Sequence, residues 1–265
     1  MTRFDINLSI LFTELPLLER PDAAKAAGFD AVEFWWPFDS ATPADAEVDR
    51  FVRAVRDAGV RLAGLNFAGG DLPGGDRGLV SWPARSAEFR ENIPVAVGIA
   101  EQLGCTALNA LYGNRIDGVD ASEQDVIGAE NLALAAKAAE AIGAVVLVEP
   151  VSGIAAYPLL TAADALAVID RAGAGNLRLL ADLYHLTVNG DDLDAVISEH
   201  TGRIGHVQVA DAPGRGEPGT GNIDIDRHLR ALAAGGYSGY VGLEYKPAGP
   251  TADSLGWFAT RKEKT

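Results

Sequence analysis

Eight short runs of aliphatic and β-branched residues recur along the chain. Each is followed by a longer stretch in which apolar residues return every three or four positions. The runs are INLSIL (6–11), AVEFW (31–35), RLAGLNF (61–67), TALNAL (106–111), AVVLVE (144–149), LRLLAD (177–182), IGHVQVA (204–210) and YVGLEY (240–245). Between them, DAEVDRFVRAVRDAG places Val48, Phe51, Val52 and Val55 on one helical face and stops at Gly59. SEQDVIGAENLALAAKAAEAIG predicts a long alanine-rich helix, with Ser122 and Asp125 in a capping arrangement and Gly143 as its stop. TAADALAVIDRAG and DIDRHLRALAAGG repeat the scheme, each closed by glycine. Such alternation builds either a doubly wound sheet or a barrel. Eight strands, polar residues at their C-terminal ends and the lack of a GxGxxG after the first strand predict an α/β fold. The expected architecture is a (β/α)8 TIM barrel in a single domain over 1–265. The one long irregular segment, AGGDLPGGDRGLVSWPARS (68–86), follows the third strand and reads as a lid or active-site loop.

Composition narrows the partners. The 265 residues carry a formal net charge of −15, which argues against a nucleic-acid backbone, since that needs clustered Lys and Arg. No apolar run approaches the roughly 20 residues that span a bilayer, and MTRFDINLSILF lacks the apolar core of a secretory leader. A cytoplasmic protein acting on a small molecule, with no membrane partner, is expected; homo-oligomerisation stays open. The lone Cys105 excludes an internal disulfide and reads as a buried structural thiol.

Four consecutive predicted strands each carry a residue that a buried strand should avoid. Glu149 ends VVLVE, Asp182 ends LRLLAD, Gln208 lies in HVQVA and Glu244 in VGLEY, at separations of 33, 26 and 36 residues, about one strand–helix unit each. Burying three unpaired carboxylates together costs several kcal/mol each, a penalty that a divalent cation removes. An all-oxygen set of Glu149, Asp182, Gln208 and Glu244 suits a hard ion, Mg²⁺ or Mn²⁺, with positions left for water or substrate. Taken singly, each residue could equally be a satisfied polar group paired with Arg or Lys; the regular spacing favours the metal.

His185, three residues past Asp182, falls on the rim and is expected to face substrate. His206, two before Gln208, should point to the same side one layer deeper, in a hydrogen-bonding role. His200 and His228 fall on helical segments and are expected to face solvent. Trp35, Trp36, Phe67 and Trp82 read as core or loop packing, with a pocket roof as the alternative.

NLSILF (7–12), VEFWWP (32–37), VEP (148–150), ADLYH (181–185), HVQVADAPGRGEPGTG (206–221) and GLEYKP (242–247) resemble the hydroxypyruvate isomerase family of xylose-isomerase-like barrels. The resemblance spans all eight strands. It implies a divalent metal and two glutamates that shuttle a proton between adjacent carbons. Glu149 and Glu244 then serve as the proton donor/acceptor pair as well as ligands, with Asp182 and Gln208 completing the metal site. The glycine- and proline-rich loop after Gln208 is expected to bring Arg215 and Glu217 over the barrel mouth. His185, Arg215 and Lys246 are candidates for a substrate carboxylate. The loop departs from the family at Gly216, where a polar residue is usual, and at Asn222, where glutamate is.

The expected activity is an aldose–ketose type isomerisation of hydroxypyruvate or 2-dehydrotetronate. A ketose 3-epimerase would use the same fold and paired glutamates but typically has histidine where Gln208 stands. An endonuclease-type metal barrel needs more than four histidines and a basic face. A non-catalytic sugar-acid-binding barrel would have little need of both glutamates.

Overall fold

The computed structural model describes residues 2–262. Eight strands, β1 (Arg3–Asn7), β2 (Ala31–Phe34), β3 (Arg61–Asn66), β4 (Ala107–Asn109), β5 (Val145–Val148), β6 (Leu177–Asp182), β7 (Ile204–Val209) and β8 (Tyr240–Leu243), pair in sequence order. All are parallel, and β8 returns to β1 through Arg3–Tyr240 to Ile6–Leu243, so the sheet has no free edge. Helices α1 (Arg20–Ala26), α2 (Asp45–Asp57), α3 (Ser86–Leu103), α4 (Ala121–Glu140), α5 (Ala162–Ala172), α6 (Leu183–Val188), α7 (Leu193–His200), α8 (Ile225–Ala234) and α9 (Gly256–Lys262) complete the (β/α)8 barrel. No helix of the described residues is long and apolar enough to cross a membrane.

Two local expectations are corrected. The first strand is RFDIN rather than INLSIL: after Asn7 the chain turns, and Leu8 and Leu11 fill the core from that turn. An apolar run thus marked the exit of the strand instead of its body. Helix α4 is capped by Asp120, whose carboxylate accepts from the Ser122 backbone N–H. Asp125 is engaged elsewhere, with the Tyr112 hydroxyl, Arg115 and Arg171.

The main core lies between strands and helices, where the outer face of the sheet and the inner faces of the helices are apolar. Inside the barrel the filling is divided. Ala107, Leu147 and Leu180 form a small separate apolar cluster on the β4–β6 side. On the β7–β1–β2 side, Asp5, Glu33 and His206 each bring a side-chain atom within 4.8 Å of the others. Gly242 makes room for them, since a Cβ there would lie 2.6 Å from Glu33 Oε1 and 2.9 Å from Asp5 Oδ1.

The segment between β3 and α3 is irregular but not loose. Leu79, Val80 and Ser81 are fully buried, and the Gly78 N–H donates to Gly69 O at 2.9 Å. At Gly78 (φ +110°) a Cβ would fall 1.9 Å from the Leu111 carbonyl oxygen, whereas at Gly75, with the same φ, it would meet nothing. Both positions strain an L-residue, but only one adds a clash with backbone. Gly78→Ala should therefore lower Tm about twice as much as Gly75→Ala, on the order of 6 °C against 3 °C. Equal shifts in thermal unfolding would show that the loop does not depend on that approach.

Candidate active site

Strand after strand ends in a polar side chain at the same mouth. Asn7, Asn66, Asn109, Glu149, Asp182, Gln208 and Glu244 stand at or just past the C-terminal ends of β1, β3, β4, β5, β6, β7 and β8. Most of them are held by specific partners. The Tyr157 hydroxyl donates to the Glu149 backbone oxygen (2.9 Å) and Asn109 Nδ2 to its Oε2 (2.7 Å). Asp182 caps α6: its Oδ1 accepts from the Tyr184 N–H at 2.8 Å, which turns Oδ2 toward the cavity. Glu244 Oε2 accepts from Asn7 Nδ2 (3.0 Å) and from Gln208 Nε2, while its Oε1 accepts from Arg215 Nη2.

Beneath them, Glu33 fixes the orientations. Its Oε1 accepts from Asn7 Nδ2 (3.1 Å) and Gln208 Nε2 (2.8 Å), and its Oε2 lies 2.6 Å from His206 Nε2. Two carboxylates therefore take the Gln208 amide nitrogen, which sends Oε1 the other way. That oxygen and Asp182 Oδ2 are buried without a hydrogen-bond partner. Orphaned buried acceptors on adjacent strands are what a bound cation would satisfy. Burial, with Asp182 adding to it, pushes the Glu149 carboxyl up to about 8, and burial raises Glu244 well above the carboxylate range despite Arg215. A site this rich in acid is compatible with a divalent ion.

His185 is buried, and its Nδ1 accepts from the Ser152 backbone N–H at 3.0 Å. In the neutral ring the proton then sits on Nε2, 3.6 Å from Asp182 Oδ2. Burial chiefly, with Arg215 and Arg77 adding to it, holds its pKa down at about 4. His185 is thus a neutral donor on the cavity wall rather than a cationic partner for a carboxylate. His206 belongs to the layer below: burial would lower it, but Glu33 outweighs that and raises it to about 9.

A cavity of about 600 Å³ opens above the acids. Trp35, Leu72, Pro73 and Arg77 line one side, and His185, Arg215 and Lys246 another. The segment after β3 therefore does contribute to the site. Arg215 arrives on a loop pinned by Asp211, whose carboxylate accepts from Ala212, Gly219 and Ile223 N–H. Its carbonyl takes the Lys246 N–H at 2.7 Å.

Glu217 corrects the sequence expectation. Instead of lining the cavity, it accepts from the Ala248 N–H at 3.0 Å, tying the loops after β7 and β8 together. His228 is also corrected: it is buried on the inner face of α8, 3.6 Å from Asp194. His200 is partly exposed, as its helix position suggested. Trp35 lines the cavity, whereas Phe67 is core, packed edge-on to Phe89. Cys105 is buried, and its thiol is pushed up to about 12 by that burial. Asn7, Glu33, Asn66 and Asn109 escaped the sequence reading, although each sits at a strand end just as the four chosen residues do.

A parallel closed barrel with an acidic, oxygen-rich mouth defines the class: an α/β-barrel enzyme for a small polar molecule. The sequence model of the xylose isomerase-like TIM barrel matches residues 21–261. The chain is 57% identical over 97% of its length to a Streptomyces coelicolor protein provisionally named a hydroxypyruvate isomerase, covering 95% of it. It is 36% identical to the 2-oxo-tetronate isomerase of Cupriavidus necator, over 97% of this chain and 98% of that one. A solved Brucella melitensis structure described as an AP endonuclease of family 2 superposes with a TM-score of 0.90 at 34% identity. It covers 98% of this chain and 99% of that one. The chain belongs to the xylose isomerase-like TIM-barrel family, where it is an isomerase of the hydroxypyruvate isomerase group.

Glu33 gives a test of the supporting layer. Glu33→Ala removes the acceptor of three buried donors, the Asn7 and Gln208 amides and the His206 ring, a change worth roughly 3–5 kcal/mol. Thermal unfolding should fall by on the order of 10 °C. A shift below about 3 °C would mean that Glu244 alone satisfies the Asn7 and Gln208 amides and that His206 finds another acceptor.

Proposed function

We propose that this isomerase interconverts a small 2-oxo acid and the isomer whose carbonyl has moved to the adjacent hydroxyl-bearing carbon, with hydroxypyruvate and tartronate semialdehyde or the 2-oxo-tetronate equivalent as substrates. The reading adds Mg²⁺ or Mn²⁺ at Glu149, Asp182, Gln208 and Glu244. One observation carries it: on the strands between those of Glu149 and Glu244, Asp182 and Gln208 each bury a side-chain oxygen that has no hydrogen-bond partner. The reading is supported by the similarity to the Streptomyces and Cupriavidus proteins, whose names carry these two substrates. Net negative charge and a cavity of about 600 Å³ disfavour a polyanionic substrate.

Glu149, Asp182, Gln208 and Glu244 would hold a divalent ion, which when bound would supply stabilisation of the negative charge that develops on the substrate oxygens. The remaining work falls to the chain. One glutamate of the Glu149/Glu244 pair removes the proton from the hydroxyl-bearing carbon, leaving an enediolate. The pair returns a proton to the former carbonyl carbon. The hydroxyl on the first carbon gives up its proton and becomes the new carbonyl, while the old carbonyl oxygen gains one. Asn109 holds Glu149 and Asn7 holds Glu244, so neither carboxylate needs to swing during the transfer. His185, as a neutral Nε2–H donor, is placed to hydrogen-bond a substrate oxygen at the cavity wall.

Three measurements test this. Purified protein assayed on hydroxypyruvate, 2-oxo-tetronate and a ketohexose should turn over one of the acids, lose that activity on chelation and regain it with Mn²⁺ or Mg²⁺. Glu244→Gln keeps a coordinating oxygen but removes the basic carboxylate. It should retain substantial Mn²⁺ binding by calorimetry and lose turnover by ~10²-fold or more. Asp182→Ala should weaken Mn²⁺ instead, with excess Mn²⁺ restoring part of the activity. Near-native turnover by Glu244→Gln at saturating metal would rule out the paired-glutamate transfer.

A further inference from the structure

The floor of the cavity is acidic, so an anionic substrate must meet a cation before it can approach Glu149 and Glu244. Three cations line the space: Arg77, Arg215 and Lys246. Arg215 is already committed, through Nη2, to Glu244, and lies 3.5 Å from Asp182. Arg77 differs. Its Nη1 donates to the Leu72 and Asp76 carbonyl oxygens at 2.8 and 2.6 Å, and it forms no ion pair with any described residue. Both contacts fall on one nitrogen, which leaves the Nε–Nη2 edge of the guanidinium free. A neighbouring Nε–Nη2 pair matches the two oxygens of a carboxylate. Arg77 is also half-buried and set on a backbone held next door, where Gly78 packs directly on Leu111.

We propose that Arg77 binds the substrate carboxylate through this edge and sets the preference of the enzyme for 2-oxo and hydroxy acids over uncharged ketoses. The inference rests on the isomerase reading above and names the substrate-reading residue within it. Lys246 lines the same cavity but is a flexible point charge, without the paired donors that fix a carboxylate's orientation. Arg77 reaches the cavity from the loop after β3, while the proton-transfer groups stand on β5 and β8. The residue that recognises the acid is therefore separate from those that move the proton.

The test uses the full chain loaded with Mn²⁺, as wild type, Arg77→Met, Arg77→Lys and Lys246→Met. Steady-state kinetics are compared on hydroxypyruvate and on dihydroxyacetone, in which a hydroxymethyl group replaces the carboxylate. Binding of glycerate, a dead-end acid with no carbonyl to isomerise, is measured by calorimetry. Arg77→Met should raise KM for hydroxypyruvate by ~10²-fold with a far smaller change in kcat, as expected for loss of a charged hydrogen-bonding partner. The ratio of kcat/KM for the acid to that for dihydroxyacetone should fall by a similar factor. Glycerate affinity should fall with it, and Arg77→Lys should restore part of each. Mn²⁺ affinity and Tm close to wild type show that the variant is folded. The proposal is overturned if Arg77→Met leaves KM and glycerate binding intact, if it lowers both substrates equally, or if Lys246→Met carries the change instead. Wild-type protein that binds glycerate but isomerises no acid would instead overturn the isomerase reading, and the glycerate comparison would still decide Arg77.

Discussion

Five carboxyl groups, those of Asp5, Glu33, Glu149, Asp182 and Glu244, share the interior of one eight-stranded barrel. Charges of one sign in a space this dry raise each other's energy, so the architecture is a set of answers to that problem. Glu33 faces His206 and collects two amide donors. Burial, with the charge of Glu33 adding to it, raises Asp5 well above the carboxylate range, so it favours its protonated, uncharged form. Arg215 reaches down from a loop to Glu244 and Asp182. Glu149 accepts only from an amide, and Asp182 keeps one oxygen without a hydrogen bond, its nearest cation being Arg215 at 3.5 Å. In the lower layer Glu33 is fully partnered while both Asp5 oxygens are buried without a hydrogen-bond partner, and in the upper layer Asp182 Oδ2 and Gln208 Oε1 are left in the same state.

This division explains why the two halves of the barrel interior differ. Ala107, Leu147 and Leu180 fill the β4–β6 side with carbon, which keeps the local dielectric low beneath Glu149 and Asp182. The opposite side carries a hydrogen-bonded polar layer whose donors are all directed at Glu33. Gln208 connects the two functions. It belongs to the lower network through its nitrogen and to the mouth through its oxygen, and a side chain without both atoms could not serve each layer at once.

Much of this was legible in the chain. Period and length placed seven of the eight strands within a residue or two, because a parallel strand buried on both faces writes itself as an apolar run. The first strand was displaced because Leu8 and Leu11 are equally apolar while packing from a turn. Glu149, Asp182, Gln208 and Glu244 stood out because acids and amides are costly in such runs. Asn7, Asn66 and Asn109 obeyed the same rule less visibly, since a neutral amide is a milder violation than a carboxylate. Glu217 and His228 could not be placed from the chain alone. Whether a loop carboxylate faces a cavity or a neighbouring backbone N–H depends on how two distant loops meet. Arg77 was hidden for the same reason, inside a segment with no period to read.

The bond from the Lys246 N–H to the Arg215 carbonyl, with the Glu217 bridge to Ala248, joins the loops that follow β7 and β8 into a single plate. That plate sits beside the seam where the last strand meets the first. Neither loop can be lengthened or shortened by itself without breaking the joint and releasing Arg215 from Glu244. A change in the length of one of these loops therefore has to be matched in the other, just as a change in the segment after β3 has to respect the close approach of Gly78 to Leu111.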